Sequence, residues 1–298
     1  MRNKPIIYWV IFVIIKRGKG FSFGRLVVMK IGFIGMGNMA TAIIKGIVAN
    51  EFVSADQIYL MDIDREKLVS LSEEVGANFV DSNQALIEAV DLVVLAVKPN
   101  VIEHVLQETK DAILTKKPVL VSIAAGTPTD KLYRFLDTDV EVPIVRAMPN
   151  VNVLVGKGAT AICGHDFANE EQLGFVVKMF EAVGKAWRLA EADFSNFTAL
   201  AGSSPAYAYL FIDSIARAGV KHGLSKQVAT EMAAQAVLGS AEMILGTGEN
   251  PWTLIDQVCS PGGTTVAGLL ALEEEAFIST VVKGIDTTIA KDKELNDK

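Results

Sequence analysis

Cysteine is nearly absent. The 298 residues hold two, Cys163 and Cys259, and their separation matches neither a metal-ligand spacing nor a disulfide framework. Two scattered thiols fit a reducing, cytosolic compartment in which both stay reduced and buried. Histidine is almost as scarce. His104, His165 and His222 lie far apart, so the chain offers no histidine metal cluster and no nucleophile–base pair. Positive charge is not in surplus either. A net charge of −7 argues against nucleic acid as a partner, because phosphate backbones are bound by basic surfaces. Small anions remain possible ligands, since backbone N–H groups can hold them. There is no internal repeat and no low-complexity tract, and charged residues at 21% are too few for a chain disordered by composition. What is plentiful is apolar surface, half of all residues, on a length that suits one large domain or two ordinary ones.

One apolar run stands apart from the rest. Ile6 to Ile15 reads IIYWVIFVII, with Arg2 and Lys4 before it and Lys16, Arg17 and Lys19 after it. It is shorter than the roughly 20 residues a membrane span needs. No small-x-small cleavage site follows it. A complete folding unit begins at Met29, so residues 1–28 read as a dispensable leader, with a membrane anchor as the alternative. The working protein is expected in the cytoplasm, without membrane contact.

From Met29 to about residue 192, short apolar runs alternate with amphipathic stretches. Strands are expected at Lys30–Gly35, Ile58–Asp62, Leu92–Val97, Val119–Ile123, Pro143–Ala147, Ala159–Cys163 and Ala186–Leu189. Helices are expected at Asn38–Asn50, Asp64–Val75, Val101–Lys110 and Asp130–Phe135. Strands apolar throughout, alternating with helices, indicate a parallel sheet covered on both faces. With right-handed crossovers this is a doubly wound, Rossmann-type α/β domain spanning residues 29–192. Residues 193–298 carry no strand-like run and read as helices at Phe194–His222, Lys226–Leu245, Trp252–Val258, Thr264–Glu274 and Ala276–Lys291. Asp193 and Ser225 are the expected N-caps, and Gly223 the expected C-terminal stop. These helices are Ala-rich and too apolar to stand exposed, which implies burial against a second copy of the chain.

Several segments carry chemistry. Gly35-Met36-Gly37-Asn38-Met39-Ala40 is a G-x-G-x-x-A placed after a strand and opening a helix. Gly35 permits the tight turn, Gly37 lets a pyrophosphate approach the backbone, and Ala40 allows close helix–strand packing. The N-terminal end of the helix then offers N–H groups to the phosphates. Asp62 ends the second strand. Its carboxylate can accept bonds from adenine-ribose hydroxyls, favouring NADH, or stand as a solvated strand-end charge, while the nearby Arg65 offers the opposite preference, so NADPH or NADH remain open. Val97-Lys98-Pro99 closes the next strand in an open turn, with Lys98 either a phosphate neighbour or a surface charge. Ala124-Ala125-Gly126 leaves room for a cofactor on the same edge. Asn150 either bonds the nicotinamide side or simply holds its turn.

The helical half contributes Ser260-Pro261-Gly262-Gly263-Thr264-Thr265, a rigid turn opening a helix. Its backbone N–H groups form a ready carboxylate site. The hydroxyls of Thr264 and Thr265 either cap the helix or bond a ligand.

Together with Arg146-Ala147-Met148-Pro149-Asn150 and Ala201-Gly202-Ser203-Ser204-Pro205-Ala206-Tyr207, these motifs resemble those of the pyrroline-5-carboxylate reductase family. The resemblance runs from Met29 to the last helix. It implies a Rossmann domain followed by a helical domain that interlocks with a second subunit, in dimers and rings of dimers. It implies reduction of 1-pyrroline-5-carboxylate to L-proline with NADPH or NADH. It also implies that Thr265 lies at the imine nitrogen, and that the amides of Gly262, Gly263 and Thr264 hold the substrate carboxylate.

Residue chemistry agrees with this implication. A protonated imine is already electrophilic, so hydride transfer needs alignment rather than a metal, a covalent nucleophile or a strong general acid. Alcohol oxidation by a β-hydroxyacid dehydrogenase would need a proton relay, for which that family resembles this one except for a lysine absent here from Thr198 to Gly219. A non-catalytic redox sensor would bind the dinucleotide without turnover.

Overall fold

The computed structural model describes residues 29–296. The expected leader, including the Ile6–Ile15 run, lies outside the described residues. The first part of the chain alternates β1 (Ile31–Ile34), α1 (Asn38–Ala49), β2 (Ile58–Met61), α2 (Arg65–Val75), β3 (Asn78–Phe79), α3 (Asn83–Ala89) and β4 (Leu92–Leu95). It continues with α4 (Pro99–Glu108), α5 (Lys110–Lys116), β5 (Val119–Ser122), α6 (Thr129–Leu136), β6 (Ile144–Pro149), β7 (Gly158–Gly164), α7 (Glu170–Glu181) and β8 (Gly184–Arg188). The strands form one eight-stranded sheet in the order β3-β2-β1-β4-β5-β6-β7-β8.

Successive side chains of a strand point to opposite faces, and here both faces are covered. Ile31 and Phe33 of β1 join one core with Ile43, Ile47 and Phe180, while Ile34 joins the other with Leu86, Leu106 and Ile113. This two-sided burial is why the strands read as unbroken apolar runs. The strand order turns back on itself at β1, which has β2 on one side and β4 on the other. Ligands of doubly wound sheets bind at such a switch point, beyond the carboxyl ends of the strands.

The sheet is not wholly parallel, contrary to expectation: β7 runs antiparallel to β6. Their connection holds only a 3-10 turn, Val151–Val155. That is too short for the crossover a parallel pair requires. Four further elements escaped the pattern. β3 is two exposed residues with no apolar run to announce it, and α3, α5 and α7 fill stretches given no assignment.

The helical part contains α8 (Phe194–Phe197), a π-helical turn (Thr198–Gly202), α9 (Ser204–Lys221), α10 (Lys226–Thr247), α11 (Pro251–Val258), α12 (Thr264–Glu274) and α13 (Phe277–Asn296). The single helix expected from Phe194 to His222 is thus interrupted. Ser203 donates five residues back, to the Thr198 carbonyl, and Pro205 in the first turn of α9 has no N–H with which to continue a ladder. Asp193 does not cap α8 through its side chain; it accepts from the Asn196 side-chain amide instead. Ser225 caps α10 as expected, accepting from Val228 N, and Gly223 follows α9 at φ +96°.

Apolar side chains stand open along these helices. Leu210, Met232 and Leu245 are each more than half exposed, and α10 buries only Ala229 and Ala233. Among the described residues no helix is long and apolar enough to cross a membrane.

Candidate active site

The glycine turn lies at the switch point. Gly35 takes φ +97°, and a Cβ there would stand 2.8 Å from the Ala96 carbonyl oxygen. Both the conformation and the close approach to the chain leaving β4 therefore require glycine. Gly37 is different: a Cβ built on it meets nothing within 4 Å, so the space above it is open. As N-cap of α1 it supplies no side-chain bond, and the first-turn N–H groups of Asn38, Met39 and Ala40 have no intrahelical acceptor. Open space over unspent donors at a positive helix end suits a dinucleotide pyrophosphate. Ala40, 1% exposed, packs beneath.

Asp62 stands beside this turn. Its Oδ2 accepts from Met36 N, the amide between the two glycines, and its Oδ1 accepts from Asp64 N at 2.8 Å. Asp64 in turn caps α2 through Lys67 N. Arg65 points elsewhere: its Nη1 lies 2.6 Å from Asp81 Oδ1 and its guanidinium sits 4.6 Å from the centre of the Phe79 ring.

The remaining candidate residues lie along one sheet edge, because parallel pairing aligns the carboxyl ends of β1, β2, β4 and β5. Val97 and Lys98 follow β4, with Lys98 exposed. Pro99 does not form an open turn. It starts α4, where its missing N–H costs nothing. Ala124, Ala125 and Gly126 follow β5, with Gly126 at φ +69°. Asn150 is buried and heavily committed. Its Oδ1 accepts from Asn152 N (3.2 Å) and Ala159 N (3.0 Å), and its Nδ2 donates to the Ala201 carbonyl (2.9 Å). One amide hydrogen is left for any ligand.

In the helical part, Gly262 takes φ +70°, and a Cβ on Gly263 would fall 2.4 Å from Ser260 Oγ. The turn is closed by Gly263 N donating to Ser260 O. Gly263 is the N-cap of α12 and makes no side-chain cap bond. The capping reading of Thr264 and Thr265 is thereby corrected, because both residues lie inside the helix, past the cap position. Within one chain α12 packs mainly on α13, the Ser260–Thr265 turn is largely exposed, and among the described residues no hydrogen bond ties it to the sheet edge.

One cluster was not anticipated. Glu191, just after the sheet, accepts from Thr129 N (2.9 Å), Thr129 Oγ1 (2.8 Å) and Arg146 Nη1 (3.0 Å). Arg146 also lies 4.4 Å from the centre of the Phe194 ring. Burial, and next the charge of Glu191, push the neighbouring Cys163 thiol up to about 12. Arg146 had drawn notice only as part of a motif, and an acidic residue in a linker carries no local signal of its partner. Among the described residues no group of three or more His, Cys, Asp and Glu is placed to hold a metal ion.

Comparison with known proteins bears on this geometry. Residues 191–295 match the family described as pyrroline-5-carboxylate reductase dimerisation, and residues 30–126 match NADP oxidoreductase, coenzyme F420-dependent. The pyrroline-5-carboxylate reductase of Escherichia coli K12 is 39% identical over 90% of this chain and 98% of its own length. The chain belongs to the pyrroline-5-carboxylate reductase family. Solved reductases of the family share its fold. One from Coxiella burnetii superposes with a TM-score of 0.85 at 33% identity, over 90% of this chain and 98% of that one. One from Plasmodium falciparum, with NADP bound, gives 0.78 at 31% identity, over the same shares. The exposed apolar helices thus lie within a dimerisation domain, and the oligomer expected from their composition follows.

Proposed function

We propose that this chain reduces 1-pyrroline-5-carboxylate to L-proline with NADPH or NADH, the last step of proline biosynthesis. The observation that carries the reading is the uncapped start of α12. Its first-turn amides and two threonine hydroxyls are not spent on capping, and they stand on a helical domain of this family.

Each half has its own task. In residues 29–192, the α1 amides above Gly37 hold the pyrophosphate and Asp62 faces the adenine ribose. Val97, Lys98, Pro99, Ala124, Ala125 and Gly126 border the cofactor along the same edge, and the remaining Asn150 hydrogen faces the nicotinamide side. In residues 193–298, the amides of Gly262 and Thr264, with Ser260, hold the substrate carboxylate by the electrostatics of a helix N-terminus, while Gly263 shapes the turn through its own amide's bond to the Ser260 carbonyl. Thr265 directs its hydroxyl to the ring nitrogen, steadying it as the carbon–nitrogen bond order falls. The bound nicotinamide supplies the hydride that saturates the imine carbon. Exclusion of water and alignment are the chain's contribution, which is why no catalytic histidine or lysine is needed.

In the single chain the Ser260–Thr265 turn is exposed and the neighbouring helices show bare apolar faces. These features support a homodimer in which the turn of one subunit meets the nucleotide edge of the other, with rings of such dimers as the larger assembly. The enzyme works in the cytoplasm, and residues 1–28 are dispensable.

Steady-state oxidation of NAD(P)H in the presence of pyrroline-5-carboxylate, with proline identified as product, tests the reading. Dinucleotide binding without turnover would replace it with the redox-sensor alternative.

A further inference from the structure

Resting on the cofactor reading above, we propose that Asp62 makes this chain selective for the dinucleotide whose adenine ribose carries a free 2′-hydroxyl, NADH over NADPH. Asp62 leaves β2 at the switch point, and two backbone donors fix it: Met36 N in the glycine turn and Asp64 N. An ionised carboxylate has about four acceptor positions, two on each oxygen. Each oxygen here spends one on the backbone, and one remains on each, side by side. Two adjacent acceptors match the two vicinal hydroxyls of a ribose. They offer nothing to a 2′-phosphate, which brings about −1.5 to −2 of its own charge and no donor.

Discrimination is reversed in such sites by a cation that swings over the 2′-position. Arg65, the nearest arginine, is turned the other way. The sheet order places β3 across β2 from β1. Arg65 reaches toward that outer side, over Phe79 of β3 and onto Asp81 just after it, whereas Asp62 is bound to the β1 turn. Between them Ile63 stands 96% exposed. A bare isoleucine beside the ribose site offers the adenine an apolar surface, which both cofactors would use equally. Asp62 therefore reads the 2′-substituent. The other basic residue of the turn, Lys67, is exposed at the third position of α2 and is included in the test.

The experiment measures equilibrium dissociation constants of the full chain for NADH and NADPH. The redox-inert fragments ADP-ribose and its 2′-phosphate are measured alongside, so that binding is read apart from catalysis. The 2′-hydroxyl forms are expected to bind about tenfold tighter or more, the scale of one like-charge contact near a protein surface. Asp62→Asn keeps an acceptor for the turn but removes the charge, and should bring the two fragments to within about threefold of each other. Arg65→Ala and Lys67→Ala should leave the wild-type ratio unchanged, and they keep the proposal testable should the Asp62 variant not fold. Tighter binding of the 2′-phosphorylated fragment by the wild type would overturn it. So would a ratio indifferent to Asp62→Asn, or loss of NADPH binding in either basic variant. Absence of turnover with both cofactors would count against the proposed reaction, while the fragment ratio still decides the selectivity.

Discussion

Replacing Glu191 with alanine should be among the most damaging single changes outside the glycine turns. The Arg146 side chain is 5% exposed and that of Glu191 29%, so the pair lies largely out of water. Arg146 also has no spare acceptor, since its buried Nε already lacks a partner. Deleting Glu191 strands a buried guanidinium and orphans the Thr129 amide and hydroxyl. Breaking a buried ion pair from one side costs about 3–5 kcal/mol. A cleft of about 450 Å³ lined by Pro128, Arg146, Glu191, Phe194 and Ser195 gives water a route to the vacated position. That route places the expected loss near the lower end, about 3 kcal/mol. Urea unfolding at one fixed protomer concentration reads it as a lowered midpoint with unchanged slope. Glu191→Gln, which retains an acceptor, should lose less. Adding Arg146→Met to Glu191→Ala should recover part of the loss, because the stranded charge is gone. A Glu191→Ala midpoint equivalent to less than about 1 kcal/mol, or a double variant no better than the single, would refute the reasoning.

Thr265→Ala should lower kcat by roughly ten- to a thousandfold with little change in dinucleotide affinity, the cost of losing one transition-state donor; an unaltered rate removes Thr265 from the mechanism. Gly35→Ala, forced to φ +97° against the Ala96 carbonyl, should both destabilise the fold and weaken dinucleotide binding, whereas Gly37→Ala, with nothing within 4 Å, should chiefly weaken binding. Thermal unfolding and cofactor titration separate the two, and equal stability losses would contradict the geometry. Cys163 should resist alkylation at pH 8 in the native protein and react on unfolding, as mass spectrometry of the labelled peptide would show. Its native thiol, pushed up to about 12 from 9.0, holds its proton after the unfolded chain has lost it, so its linkage lowers stability as pH rises through that interval. Finally, residues 29–298 alone should match the full chain in kcat/KM, and a loss of activity would give residues 1–28 a role.

Much is legible in the sequence because it is written in neighbouring residues. Period-two burial under helices on both faces makes β1, β4 and β5 continuous apolar runs, and the Ser225 cap and the Gly35 turn are matters of a few consecutive residues. The reading failed where local pattern is silent or overruled. β3 is too short and exposed to carry a signal, and the antiparallel β7 follows from the length of its connection rather than from its composition. The π-turn before Pro205 interrupts what periodicity presents as one helix. At the site, the motif positions were visible, yet the use of each side chain was not. Asn150 proved to be tied into its own turn and to Ala201, and the two threonines lie past the cap.

By itself the sequence determined the class of fold, the glycine turn that makes room for a dinucleotide, and the small-residue bend that opens α12, since backbone conformation and periodicity act over a few bonds. Only the tertiary structure decided which way charge points. Asp62 turns inward to Met36, Arg65 outward to Asp81, and Glu191 gathers Arg146 and Thr129 from 45 and 62 residues away. Such pairings follow from how the sheet stacks its strands, and the strength of each depends on the burial that stacking produces.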